Sequence, residues 1–444
     1  MNKIIAYLVL STLSYSLIAQ EMLTLEQAID KALENNYDIK LEKYNIEISE
    51  NNVSRAVSGQ MPRLEHQMNY ELGYSDAEIQ TLNISPEAGE NPPLELSGSS
   101  RELTIQPQLS IPIFNGFSGR YRYKQLENTY QTSELQLTAV IEQTISSTVS
   151  TYLEVARLQS RLGIDLDNIA LSFDRWQRVK IDATFGAANS VRQLQAEVDL
   201  KTDSANYRNV ILSYENSRRN LNLIMGQPAD QIFTVQEDIL LSDELDYAKL
   251  ENEMKMRNTQ LNLSELGIHN ATYEVKISEA TWFPNISGYT NYTYLDSEDD
   301  ASFLQSNQVY GPGVGISLSY PLFTGGANKI QRQNAQIRLK KEKTRLGSVN
   351  LSLEKDLRNA YAQYANNQQQ LRIEKANLRT YEQNFEKVKE DHSLGQVDAT
   401  DLRTAQLNLS SARNRINDLT YNVKQSEVAL LQLTGRLSPK RSDN

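Results

Sequence analysis

The chain has 444 residues, with 56 Asp and Glu against 45 Lys and Arg for a formal net charge of −11, three histidines and no cysteine. This balance argues against a nucleic-acid binder or a polybasic membrane-surface protein, and the missing cysteines exclude a disulfide framework and a lipid-bearing cysteine. The acidity is spread along the chain, as solvated helix faces or, more boldly, as the lining of a negative conduit.

Residues 1–19 carry Lys3, the apolar stretch Ile4 to Leu13 and small and polar residues ending at Ala19, the pattern of a secretory signal. No later stretch approaches the roughly 18 apolar residues that a spanning helix needs. His66, His269 and His392 lie far apart without a ligand partner at helical or loop spacing, so no metal site and no cofactor are expected. Short helices fill 20–61, opened by a capping box of Thr24 and Gln27 ahead of Leu25, Ala28, Ile29, Ala32 and Leu33.

The segment 62–117 reads as a β-hairpin. Leu64, Met68, Tyr70, Leu72 and Tyr74 alternate with Glu65, Gln67, Asn69 and Glu71, and Leu103, Ile105, Leu109, Ile111 and Ile113 alternate with Thr104, Gln106, Gln108 and Ser110. Each strand is expected to run about ten residues, with a Gly-, Pro-, Ser- and Glu-rich loop from about Ser75 to Ser100 between them. Pro107 inside the second run implies an edge or a bulge. The hairpin closes on LSIPIFNG, where Pro112 is expected to end the ladder, Phe114 to mark a boundary and Gly116 to permit the turn into a helix.

From Ser118 to Thr184 no proline interrupts 67 residues, and Leu137, Ile141, Ile145, Val149, Tyr152 and Ala156 recur at steps of three and four. Such a narrow stripe among polar residues is coiled-coil packing between helices. The region 118–225 is a helical hairpin whose tip turns at Gly186, with Ser190 and Gln193 as a capping box for the return helix. A linker covers 226–244.

The rest repeats the first half. Asn36 pairs with Asn258 and Pro62 with Pro284, 222 positions apart (258 − 36), while Pro112 pairs with Pro321, Gly186 with Gly395 and Gly226 with Gly435, 209 apart (321 − 112). The 13-position difference falls in the hairpin loops, the part of a repeat that tolerates insertions. Short helices at 245–283 precede a second β-hairpin at 284–324, in which Ile286, Tyr292 and Tyr294 oppose Ser287, Asn291 and Thr293, and Val314, Ile316, Leu318, Tyr320 and Leu322 oppose Gly315, Ser317 and Ser319. Its loop, about Asp296 to Gln308, holds Glu298, Asp299 and Asp300, either a solvated tip or a cation site. LSYPLFTG, with Pro321, Phe323 and Gly325, rebuilds the junction into a second helical hairpin at 325–435, where Leu353, Leu357, Tyr361, Tyr364, Leu371, Leu378, Tyr381, Phe385 and Val388 form the stripe. Gly395 turns the tip, Asp398 or Thr400 caps the return helix, and a tail occupies 436–444.

Four amphipathic strands fit a soluble hairpin pair or a membrane crossing. An exported chain without a spanning helix can cross a bilayer only as a closed barrel, and four strands are too few, so several chains would have to share one.

LTLEQAIDKALENN, the two proline-to-strand junctions, PIFNG, PLFTGG and the two tip turns together resemble the TolC family of outer-membrane efflux proteins over essentially the whole mature chain. The resemblance implies a mainly α fold with a membrane β-barrel: long antiparallel coiled-coil helices form an α-barrel tunnel, and four strands per chain enter a shared trimeric twelve-stranded barrel. It implies a homotrimer in outer-membrane lipid with a long periplasmic extension, a periplasmic adaptor (membrane fusion) protein, and an inner-membrane pump or secretion ATPase; no nucleic acid is involved. The family's periplasmic gate maps onto Asp401, while its second acidic position is Thr404, its basic position is Val397, and the first tip offers Arg192. Asp401 is alternatively a first-turn acid favoured by the helix dipole. Gly186, Gly395 and Asp398 fall where an adaptor would dock, beside Ala187, Ala188 and Ala399. The expected function is passive conduction from an inner-membrane pump across periplasm and outer membrane, gated at the helix tips. A structural or adhesive periplasmic coiled coil is the alternative from another class. An enzyme is disfavoured, because no nucleophile motif is found and GGANK lacks phosphate-loop spacing.

Overall fold

A computed structural model of the protein describes residues 22–79, 94–185, 189–241, 245–302 and 305–437. The signal expected at 1–19 and the tip residues Gly186, Ala187 and Ala188 lie outside the described residues. In chain order, β1 (Met22–Leu23) leads to α1 (Leu25–Asn35), α2 (Tyr37–Asn52), β2 (Arg63–Ile79), β3 (Leu94–Asn115), α3 (Ser118–Thr184), α4 (Ser190–Ile224) and β4 (Thr234–Val235). The second half follows with α5 (Tyr247–Arg257), α6 (Thr259–Ala280), β5 (Asn285–Asp299), β6 (Ser306–Ser319), α7 (Ala327–Ser393) and α8 (Ala399–Leu433). Two compact units emerge: one takes the described residues up to Asn45, Glu134–Leu263 and those from Leu346 on, the other Ile46–Ser133 and Ser264–Arg345.

The first unit is helical, and its local geometry follows the repeat. Gln27 N donates to Thr24 Oγ1 and Thr24 N to Gln27 Oε1, which completes the capping box. Asn36 Oδ1 accepts from Asp38 N and Ile39 N, starting α2, while its Nδ2 donates to the Ile224 carbonyl at 3.1 Å. Asn258 does the same in the second half, accepting from Gln260 N and Leu261 N and donating to the Leu433 carbonyl at 3.0 Å. Each asparagine thus starts one helix and ties off the end of another. Gly226 and Gly435 stop those helices with φ of 65° and 66°. A Cβ on either would come within 2.7 Å of a backbone carbonyl, Asn35's or Arg257's, so left-handed backbone and close approach both require glycine.

The stripes bury as expected. Ile145, Val149, Tyr152 and Ala156 pack with Leu23, Ala28, Leu221 and Phe233, and Leu353, Leu357, Tyr364 and Leu371 pack with Leu250, Met254, Val423 and Leu430. One pairing was invisible in the sequence: β1 runs parallel to β4 inside the expected linker. Two residues per strand are too few for any periodic signal. Side chains hold this pair, as Tyr152 Oη donates to the Leu23 carbonyl at 2.9 Å and Gln159 Nε2 to the Val235 carbonyl at 3.0 Å.

The second unit holds a four-stranded antiparallel sheet in the order β2-β3-β5-β6. The register sets Leu64, Met68 and Tyr70 beside Leu109, Ile105 and Leu103, Ile105 beside Tyr294, and Thr290 beside Val314, so the apolar residues share one face. That face is uncovered within the chain. Leu64 is 73% exposed and Val314 87%, where a soluble hairpin would lay these side chains against a core.

Several strand expectations are corrected. The strands have 17, 22, 15 and 14 residues and not about ten, because backbone pairing continues through the polar Ser75–Gly98 and Asp296–Gln308 registers regardless of side-chain polarity. The acidic run belongs to this extended hairpin, where Glu298 meets Arg101 at 2.7 Å, Asp299 Oδ1 accepts from Ala301 N, and Asp300 accepts from Ser99 Oγ. Pro107 sits inside β3 opposite His66 without a bulge; its missing N–H is tolerated because the ladder towards β5 lapses at Gln106 and Pro107. Pro112 does not end β3. It faces Ser287, and the irregularity comes one residue later, with Phe114 opposite Ile286.

Candidate functional site at the hairpin tips

The second tip is built by its caps. Gly395, at φ 75°, lets its own N–H reach the His392 carbonyl and Gln396 N the Asp391 carbonyl, which closes α7. Asp398, and not Thr400, starts α8, accepting from Thr400 N at 2.7 Å and Asp401 N at 3.0 Å. These two backbone hydrogen bonds, with help from Arg192, hold its carboxyl below the usual aspartate value. In the first tip the expected Ser190 and Gln193 box is replaced by Asn189, whose side chain accepts from Arg192 N at 3.0 Å. Asparagine is as good a cap as serine, and here it is Asn189, one residue earlier, whose side chain meets the free N–H.

Both hairpins border one cavity of about 900 Å³, lined by Asp174, Arg178 and Asp182 from α3, Arg192 from α4, His392 from α7, Gly395 to Asp398 from the second turn, and Asp401 from α8. Three of the expected site residues, Gly395, Asp398 and Asp401, therefore meet around a single space with Arg192. Its lining mixes carboxylates with guanidinium groups over apolar Leu171, Val179 and Phe385.

Beside the cavity lies a network that sequence reasoning missed. Arg403 of α8 reaches Asp203 of α4 with both Nη atoms at 2.7 Å, a bidentate pair with little solvent contact. Ser172 Oγ of α3 donates to the same carboxylate and accepts from Arg403 Nη1 at 3.1 Å. Arg175 Nη2 donates to Asp199 at 2.6 Å, and burial pulls the Arg175 guanidinium below its ordinary value. Burial, opposed by Arg161 and reinforced by Asp203, raises the carboxyl of Asp165. Three helices are joined by charges held out of water.

The junction residues occupy defined turns. Pro62 and Pro284 immediately precede β2 and β5, while Pro321 and Phe323 follow β6 ahead of Gly325, at φ 60°. Gly116 and Phe117 both take left-handed φ, 65° and 66°. The rings of Phe114, Phe117 and Phe283 meet edge to face at 5.2 and 6.4 Å.

A sequence model of the family described as outer membrane efflux protein matches residues 28–227 and 250–436. The outer membrane efflux protein BepC of Brucella suis biovar 1 (strain 1330) is 22% identical over 445 residues, covering 94% of this chain and 86% of that protein. Among solved structures, the outer-membrane channel OprN superposes with a TM-score of 0.75 at 16% identity, over 94% of this chain and 91% of that one. The Campylobacter jejuni CmeC outer membrane channel gives 0.74 at 16% identity, over 94% and 87%. The Neisseria gonorrhoeae MtrE outer membrane channel in its open state gives 0.70 at 17% identity, over 95% and 91%. These structures share the fold of the present chain. No described helix is long and apolar enough to cross a membrane.

Proposed function

The chain belongs to the outer membrane efflux protein family, and from that premise we propose that it is the outer-membrane channel-tunnel of a tripartite efflux or type I secretion system. Three copies pool their sheets into a twelve-stranded barrel, and their helical hairpins continue it as a periplasmic tunnel. The chain is a passive conduit; an inner-membrane pump or secretion ATPase supplies the free energy, and a periplasmic adaptor docks at the tips around Gly186, Gly395 and Asp398.

The observation that carries this reading is the open-edged sheet with one apolar face exposed. Strand edges and apolar side chains are both satisfied when sister sheets close the barrel in lipid, since a membrane leaves no backbone group unpaired. At the tips, Asp401 borders the cavity between the hairpins; on this reading it belongs to the gate, and opening is a population shift towards splayed hairpins when the adaptor binds that state better.

The test is conductance across planar bilayers with purified protein. Discrete steps, with cation preference reduced in Asp401→Ala, support the channel and its gate. Absence of any conductance overturns the reading, and unchanged selectivity removes Asp401 from the gate.

A further inference from the structure

The two strand-to-helix junctions place cations where helix electrostatics disfavours them. α3 begins SGRYRYK and α7 begins ANKIQR; neither has an acidic residue in its first turn. The first carboxylates come only at Glu127 and Glu342. Arg120 and Lys329 therefore sit in the first turns of two helices, whose dipoles favour Asp and Glu there, and Arg122, Lys124 and Arg332 follow in the next turn. Arg332 has a partner in Glu279 at 3.3 Å. Among the described residues the other four show no ion pair, in a chain whose net charge is −11. By helix rise all five lie within about 10 Å of the helix starts.

The same junctions expose rings. The extra residue of β3 at Ile113 shifts the alternation, so Phe114 stands opposite Ile286, on the face that carries Leu318 and Val314. Phe114 then meets Phe117 and Phe283 edge to face. Phe117 is the one non-glycine residue with positive φ among those described, a strain of about 1–3 kcal/mol. Phe117 and Trp282 are each 52% exposed, and Phe323 88%. Two adjoining clefts of about 410 and 400 Å³ share Arg122, Ile277 and Gln331, and the second adds Asn115, Asn285, Asn328 and Phe283. Asn115, Asn285 and Ser319 of the second cleft belong to the polar face of the sheet, Glu274 and Arg338 enter the first cleft, and Phe283 links the second through its ring contact with Phe114 to the apolar face.

We infer that this collar binds anionic phospholipid headgroups of the leaflet facing the helices. The rings lie at the boundary between acyl chains and headgroups, as amphipathic aromatics do, and Arg120 and Lys124, which share one face of α3, hold the phosphates with Lys329, while Arg122 points to the cleft on the polar side. Charge complementarity selects the anionic lipid, and the sheet's apolar face supplies the membrane. The inference rests on the proposed channel reading.

Trp282 is the natural reporter, since Trp176 is the only other tryptophan. Full-length Trp176→Phe protein is reconstituted into phosphatidylcholine vesicles containing one-third phosphatidylglycerol, with bromine on the acyl chains of one lipid or the other. Brominated phosphatidylglycerol is expected to quench Trp282 with about a fivefold preference at low salt, the scale of one surface cation, falling towards unity in high salt. Substitution of Arg120, Lys124 and Lys329 by glutamine should abolish the preference while leaving quenching by the bulk lipid. Equal quenching by both lipids, or a preference insensitive to salt, overturns the inference and leaves the channel intact. Absence of quenching by any brominated lipid overturns the membrane reading and the preference with it.

Discussion

The two hairpin tips come from one repeated segment, yet they carry opposite chemistry. At an offset of 209, Arg192 corresponds to Asp401, Leu194 to Arg403 and Asp203 to Ala412 (401 − 192, 403 − 194, 412 − 203). The first tip has kept the acid and the second the base that together make the Arg403–Asp203 pair. Elsewhere the halves stayed alike, as the asparagine joints at Asn36 and Asn258 show. Where the copies must do the same work they agree; where they face each other they diverged into complements.

Breaking the complement should have the largest effect. Arg403→Ala strands a nearly buried carboxylate at Asp203, and chemical denaturation in detergent should show a loss of about 3 kcal/mol. The double variant Arg403→Ala, Asp203→Ala should lose less than the two single losses added, a coupling of at least about 1 kcal/mol in the double-mutant cycle. Additive losses would mean that the two tips only happen to touch.

A smaller effect sharpens the contrast between the caps. Asn189→Ala should cost about 1 kcal/mol at any pH. Asp398 differs because its carboxyl titrates below the ordinary value. Its contribution is therefore full above the unfolded value near 3.8 and is lost as pH falls through the depressed folded value. Hydrogen exchange in the first turn of α8 should accelerate in Asp398→Ala at neutral pH and match the parent at strongly acidic pH. A pH-independent difference would assign the cap to something other than the ionised carboxylate.

Much of this was legible in the sequence for physical reasons. The paired offsets mark positions where backbone geometry leaves little choice, as at Gly226 and Gly435. Period-two alternation gave the strands, because one face must be oily whatever covers it. Strand length was not legible, since the ladder continues into residues whose composition reads as turn, from Ser75↔Gly98 outward. The tie at Arg403 was hidden for another reason: its partner lies 200 positions away and neither residue belongs to a local motif. Only comparing the halves position by position, Leu194 against Arg403, would have raised it.

The central claim is that a four-stranded sheet with two open edges and an exposed oily face is complete only among copies of itself. Native mass spectrometry of the detergent-purified chain tests it most directly. A trimer that persists in detergent and falls to single chains only on heating is the predicted result. A stable monomer that stays soluble without detergent would contradict the account.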